Sequence, residues 1–286
     1  MPSPAPEPPP QDREVPLLRQ QHLGGAYRLL SFRHPEVSRH SRAGQFVMIK
    51  AGRSAAPPLR RPFSILAVDP EEESFTLFVK VVGPGTRALA TLAPGDTARC
   101  LGPLGRSFPD PAPDRATLLV AGGYGIAPFL LLAASGAGRE RLRVFYGGRT
   151  AADLQLRERF EALGVPLVAA TDDGSLGHRG RVTEALEAQL GAEGGAPVLY
   201  ACGPEAMLHA VARLAERRGL PALVSLDPWM GCGFGTCLAC VVDVQEPGEA
   251  APRRHCACTE GPVFDAASVV WPGESGSAAA RREGAA

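Results

Sequence analysis

Thr117-Leu118-Leu119-Val120-Ala121-Gly122-Gly123-Tyr124-Gly125-Ile126-Ala127-Pro128 is the stretch on which the fold turns. A short apolar run, glycines at a bend and a proline opening a second apolar run predict a buried strand, a tight turn and a helix. Glycines there let backbone amides approach a pyrophosphate at the helix start. Gly122, Gly123, Gly125, Ile126, Ala127 and Pro128 are therefore candidate cofactor contacts. The pattern is not a complete dinucleotide fingerprint and also fits an ordinary strand-to-helix turn. Downstream the alternation continues, with strand candidates at 143–147, 166–170 and 198–201 and helical patterns near 152–163, 181–190 and 204–218. Alternating β and α elements imply a parallel sheet with crossover helices. Cys202-Gly203-Pro204 follows the last of these strands, at the end where α/β sheets bind ligands. Gly203 and Pro204 are candidate cofactor contacts and Cys202 a candidate catalytic residue; the alternative for Cys202 is a small buried side chain.

Upstream the texture differs. From Val15 to about Phe108, runs such as Gln45–Ile49, Phe63–Val68 and Ser74–Val82 are broken by Gly and Pro, which predicts a small antiparallel barrel. Arg61-Pro62-Phe63-Ser64 offers an arginine and a serine for a phosphate and an aromatic ring for stacking on a flavin. Gly85-Thr86, in the later turn Gly83–Thr86, can reach a second phosphate, which favours FAD over FMN. The bland alternative is a strand with a surface arginine. Pro109–Asp114 reads as a linker. Residues 1–13 read as a disordered Pro-rich leader without the basic and apolar regions of a signal peptide.

At the other end lies Gly231-Cys232-Gly233-Phe234-Gly235-Thr236-Cys237-Leu238-Ala239-Cys240, followed by Cys256 and Cys258. The C-x4-C-x2-C spacing with a later cysteine is the plant-type [2Fe–2S] pattern, in which four thiolates hold two irons. Zinc sites usually pair two C-x2-C knuckles, so zinc is the weaker reading. Five of the seven cysteines crowd into this region. An odd, clustered count argues for a metal site rather than a disulfide framework. Cys256 and Cys258 compete for the fourth position.

Thirty basic and 30 acidic residues cancel, so the footprint of a nucleic-acid binder is absent. The longest apolar run, near Ile126–Ala134, is too short to span a bilayer. Cytoplasm is the default location.

Taken in order, these motifs resemble the ferredoxin-reductase-like flavoproteins. The segments Met230–Val242 and Cys258-Thr259-Glu260-Gly261-Pro262-Val263-Phe264-Asp265 are similar to the electron-transfer subunit of class 1B, NAD-dependent dihydroorotate dehydrogenase. The resemblance covers about residues 15–268. It implies an α+β multidomain chain: an FAD-binding β-barrel at 14–110, an NAD-binding α/β domain at 111–225 and a [2Fe–2S] segment at 226–270; residues 271–286, rich in Gly, Ser, Ala and Arg, read by composition as a flexible tail. It implies flavin contacts at Arg61, Pro62, Phe63, Ser64, Phe78, Val79, Lys80, Gly85 and Thr86. It implies cluster ligands at Cys232, Cys237, Cys240 and Cys258, the last from the C-x-[DE]-G-P-V-F ending. The cofactors would be FAD, a [2Fe–2S] cluster and exchangeable NAD, although Arg149 after Gly147-Gly148 is a residue type that favours NADP. The partner would be an FMN-containing dihydroorotate dehydrogenase catalytic subunit, two of each chain forming a heterotetramer, with electrons leaving dihydroorotate for NAD in de novo pyrimidine synthesis. A sulfhydrogenase-gamma-like or ferredoxin:NAD(P) reductase subunit is the competing enzyme reading. A zinc-stabilised binding module is the non-enzymatic one.

Overall fold

The computed structural model describes residues 10–52, 57–192 and 196–271. Six strands close a barrel: β1 (Gln11–Gly24), β2 (Tyr27–Arg33), β3 (Phe46–Ala51), β4 (Arg61–Asp69), β5 (Ser74–Lys80) and β6 (Thr97–Leu104), in the order β1-β2-β5-β4-β3-β6. Every pairing is antiparallel. Alternation sends Val15, Leu30, Phe32, Val47, Ile49, Ile65, Phe75, Leu77 and Val79 into one interior cluster. Helices α1 (Pro35–His40) and α2 (Pro84–Ala90) cover its connections. The first strand begins inside the stretch read as a leader. Gln11, Asp12 and Arg13 pair with Gly102, Leu101 and Cys100, because the exposed edge of β6 offers hydrogen-bonding groups that a polar strand satisfies as well as an apolar one. Residues 1–9 lie outside the described residues.

The second half is a sheet flanked by helices. Its strands are β7 (Thr117–Gly122), β8 (Leu142–Gly148), β9 (Leu167–Thr171), β10 (His178–Arg179), β11 (Val198–Cys202) and β12 (Ala222–Ser225). All six run parallel, in the order β10-β9-β8-β7-β11-β12. Helices α3 (Ala127–Ser135), α4 (Arg157–Ala162), α5 (Val182–Ala192) and α6 (Glu205–Arg218) make the crossovers. Helix α6 buries Leu208, Val211, Ala212 and Ala215, spaced as one helical stripe, and ends at Gly219 with φ of 63°. Helix α3 is apolar on every side because it is enclosed on both. Phe129 and Leu130 share a cluster with barrel residues Leu29, Leu66 and Phe78 and with sheet residues Leu119 and Tyr146. Each such buried side chain is worth about 1.5–3 kcal/mol, and together they fasten barrel to sheet. The helical pattern at 152–163 is interrupted: Ala151–Asp153 is a 3-10 turn, and Leu156 takes φ of 69° before α4 begins.

The cysteine segment adds the hairpin β13 (Val241–Val244) and β14 (Arg253–Cys256), then β15 (Val263–Asp265), which joins β12 antiparallel as the seventh strand of the sheet. Composition does not foretell this strand of three residues; its partner edge supplies the hydrogen bonds. Trp271, expected in the tail, is buried and stacked on His209 of α6 at 5.0 Å. The remaining tail lies outside the described residues.

Candidate functional site

A cavity of about 300 Å³ opens where barrel, sheet and cysteine segment meet. Its barrel wall holds Arg61, Pro62, Phe63, Ser64, Phe78, Lys80, Gly85 and Thr86; its sheet wall holds Gly125, Ala127, Cys202 and Gly203. Strand alternation explains which sequence candidates stand elsewhere. Val79, between two lining residues of β5, points into the barrel interior, and Ile126 is fully buried beneath the turn. Pro128 is buried in α3, and Pro204 lines a neighbouring groove. Gly122 and Gly123 do not line the cavity either. Phe46, Tyr124, Ser225, Leu226, Asp227, Met230 and Pro262 line it without having been singled out. Of these, Ser225-Leu226-Asp227 was the readable set, since it ends a parallel strand.

The barrel wall is shaped for an extended ligand. The Arg61 guanidinium donates to the carbonyls of Leu59 and Arg60 at 2.6 and 3.2 Å. It packs so closely on Gly85 that a Cβ there would stand 3.2 Å from Arg61 Nε. Thr86 Oγ1 accepts the N–H groups of Val82 and Gly83 at 2.9 and 3.0 Å and fixes that turn.

The two glycine turns of the sheet wall touch. A Cβ on Gly125 would lie 2.1 Å from the Cys202 carbonyl oxygen, and one on Gly203, where φ is 155°, would lie 2.8 Å from the Gly122 nitrogen. These glycines are required by close approach before any ligand is considered. Burial pushes the Cys202 thiol up to about 12, with Asp227 adding to the shift against a hydrogen bond to Ser225. The thiol is therefore protonated at neutral pH; it can shape the wall or donate weakly, and it cannot act as a thiolate. Desolvation also raises Asp227, which lines both the cavity and the neighbouring groove.

The cysteine loop packs on the barrel. Gly233 and Gly235 adopt φ of 88° and 80°, and a Cβ on Gly233 would stand 2.5 Å from Met48 Cγ of β3. The loop thus wraps tightly on the barrel and turns its amides toward sulfur. The N–H groups of Phe234 and Cys237 both lie 3.5 Å from Cys232 Sγ, and Gly235 N–H donates to Cys258 Sγ at 3.1 Å. Although desolvation opposes it, these amides bring the Cys232 thiol down to about 7. Cys237 interacts with Cys232, and Cys258 interacts with Cys240 and Cys232. Amide donors aimed at sulfur suit thiolates that hold iron. Among the described residues this donor set fits the cluster read from the spacing.

Cys256 also approaches Cys240, but differently. Its Sγ faces the Gly235 carbonyl oxygen at 4.0 Å, a partner for a thiol proton, and Glu260 lies close by. The chain turns between the two cysteines, with Thr259 and Glu260 N–H groups returning to the Cys256 carbonyl. Cys256 and Cys258 are thus not successive same-side residues of one extended strand.

The chain matches three family descriptions: an oxidoreductase FAD-binding domain over residues 14–108, an oxidoreductase NAD-binding domain over 119–213 and an iron-sulfur cluster binding domain of dihydroorotate dehydrogenase B over 227–270. A dihydroorotate dehydrogenase B (NAD(+)) electron transfer subunit from Desulforamulus reducens is 37% identical over 243 residues, 85% of this chain and 92% of that one. Its counterpart from Geobacillus kaustophilus is 44% identical over 231 residues, 79% and 86% of the two chains. The chain belongs to the dihydroorotate dehydrogenase B electron-transfer subunit family. A solved structure of an NADH-dependent reduced ferredoxin-NADP oxidoreductase superposes with a TM-score of 0.78 at 31% identity, covering 90% of each chain. The cytochrome b5 reductase domain of Ulva prolifera nitrate reductase shares the fold at 20% identity, with a TM-score of 0.61 over 73% of this chain and 94% of that one.

As an electron-transfer subunit of this family, the chain is an oxidoreductase component with flavin, nicotinamide and iron–sulfur domains. Among the described residues no helix is long and apolar enough to cross a membrane. Arg149, the residue whose type favours NADP, is exposed and lies 3.7 Å from Asp153 Oδ2.

Proposed function

We propose that this subunit carries electrons from dihydroorotate, oxidised on a separate FMN-containing subunit, through a [2Fe–2S] cluster and FAD to NAD, as a step of de novo pyrimidine synthesis. FAD supplies the required junction, because nicotinamide moves two electrons together and the cluster moves one. The observation that carries the reading is the shared wall. Met230 and Pro262 line the flavin cavity and stand two and four residues from Cys232 and Cys258. In this reading Arg61, Ser64, Gly85 and Thr86 hold the flavin phosphates, Phe63 and Phe78 flank the ring, and the turns at Gly125 and Gly203 receive nicotinamide. Cys232, Cys237, Cys240 and Cys258 hold the irons. Two copies of each chain make the assembly, in the cytoplasm.

Purification with its neighbours tests this. Recovery of FAD, two irons per chain and an FMN-containing partner supports it. A colourless, zinc-loaded protein would refute it. The likeness to the NADH-dependent ferredoxin-NADP oxidoreductase structure supports a second reading, a ferredoxin-linked reductase, which a different co-purifying partner would establish.

A further inference from the structure

Asp153 is the residue to which that reading gives no part. It ends the 3-10 turn Ala151–Asp153 beyond β8, in the α/β domain, with its side chain 14% exposed. Two donors from the barrel converge on one of its oxygens: the Tyr27 hydroxyl at 2.7 Å and the Lys80 ammonium at 2.9 Å, both to Oδ1. Lys80 lies 4.9 Å from the Tyr27 ring centroid, and that ring stacks on Phe78 at 5.4 Å. Lys80 and Phe78 line the flavin cavity. Asp153 is held equally firmly from its own side. Its N–H donates to the Thr150 carbonyl at 3.0 Å, and its carbonyl accepts from the buried Tyr146 hydroxyl at 3.3 Å.

The group is ionic. Burial opposes the charge on both Lys80 and Asp153, yet hydrogen bonding among Tyr27, Lys80 and Asp153 outweighs it, leaving Lys80 raised and Asp153 lowered. A half-buried pair of this kind adds little net stability, since desolvation offsets the attraction. What it does supply is position. It joins the domain bearing the flavin contacts to the domain bearing the nicotinamide turns, at a side chain that lines the cavity between them.

We propose that Asp153 is a positioning residue for hydride transfer: it fixes Lys80 at the cavity and sets the barrel against the α/β sheet so that nicotinamide and flavin meet. The inference rests on FAD occupying the cavity. It has a geometric and an electrostatic consequence. Loosening the tie lets the two walls shift, and a misplacement of about 1 Å costs up to roughly 100-fold in rate. Neutralising Asp153 also leaves the Lys80 charge uncompensated beside the flavin, which favours the more negative, reduced flavin.

The test uses the full-length, cofactor-loaded chain with Asp153→Asn, Asp153→Glu, Lys80→Met and the double variant Asp153→Asn/Lys80→Met. FAD and iron content, flavin midpoint potential and rapid-mixing reduction by NADH and deuterated NADH are measured. NADH gives up one hydride, two electrons with a hydrogen nucleus, to the flavin and leaves as NAD. The expected result for Asp153→Asn is retained FAD and iron, a hydride-transfer rate constant down roughly tenfold or more, a larger isotope effect and an upward midpoint shift. Asp153→Glu recovers part of the rate. Lys80→Met moves the midpoint down, and adding Asp153→Asn to it removes the carboxylate left uncompensated and brings the midpoint back toward the wild-type value. Wild-type rate and midpoint in Asp153→Asn would overturn the inference. So would lost thermal stability with a normal rate per bound flavin, which would leave Asp153 a merely structural tie. A wild-type chain that binds no flavin would instead overturn the reading on which the inference rests.

Discussion

The cysteine loop and the cavity proposed to hold the flavin are built by opposite strategies. Three of the four proposed iron ligands come from nine consecutive residues, Cys232–Cys240, bent by Gly233 and Gly235 onto the barrel. The cavity takes its lining from β4, β5 and the Gly83–Thr86 turn on one side and from two touching glycine turns on the other. Trp229, Phe234 and Leu238, beside the cysteines, are exposed large apolar side chains, whereas Phe78 and Cys202 in the cavity are buried. The contrast teaches that a one-electron site can be local and near the surface, while a hydride site needs two facing walls and therefore tertiary structure. The large exposed apolar side chains around the loop fit a surface that a partner covers.

The strongest way to break this comparison is to remove one cluster ligand. Cys240→Ser and Cys258→Ser should each lose nearly all iron by metal analysis while retaining FAD. Loss of flavin along with iron would show that the two sites are not separable. Next in size is Gly125→Ala, whose Cβ has no room beside the Cys202 carbonyl. It should cost about 3 kcal/mol of stability, read as a lower melting temperature, and reduce the NADH reaction while iron remains. Iron loss there would join what the comparison separates. Smaller effects belong to the surface: Trp229→Ala and Phe234→Glu, at 92% and 54% exposure, should leave melting temperature and cofactor content unchanged and weaken recovery of the partner. An intact complex with both variants would move the interface elsewhere. The smallest effect sharpens the ligand set. Cys256→Ser, whose sulfur faces a carbonyl rather than an amide, should change iron content negligibly, and a large loss would make Cys256 the fourth ligand.

Legibility followed locality. The cysteine spacing, the Arg61–Ser64 strand and the glycine turn at 122–128 were readable because each is a short run whose chemistry depends on its neighbours in the chain. The segment 152–163 reads as one helix because Leu156, Phe160 and Leu163 recur at helical spacing, yet Leu154 and Leu156 are both buried in the core shared by barrel and sheet, and a 3-10 turn and a left-handed Leu156 precede the short helix. Strand β15 escaped notice because a three-residue strand exists only where an edge awaits it. Asp153 escaped because it looks like any acidic residue after a strand, and its partners are 126 and 73 residues away.

The sequence alone determined the order of the three modules and singled out the cysteines proposed as iron ligands, down to a choice between two, and the strand proposed to face the flavin, since these follow from spacing and alternation within single segments. Only the tertiary structure decided that the glycine turns at Gly125 and Gly203 must touch, that Cys258 rather than Cys256 receives the Gly235 amide, and that one carboxylate ties barrel to sheet. Each of these depends on atoms brought within about 3 Å across long stretches of chain, and hydrogen bonds and steric contacts act only at that range.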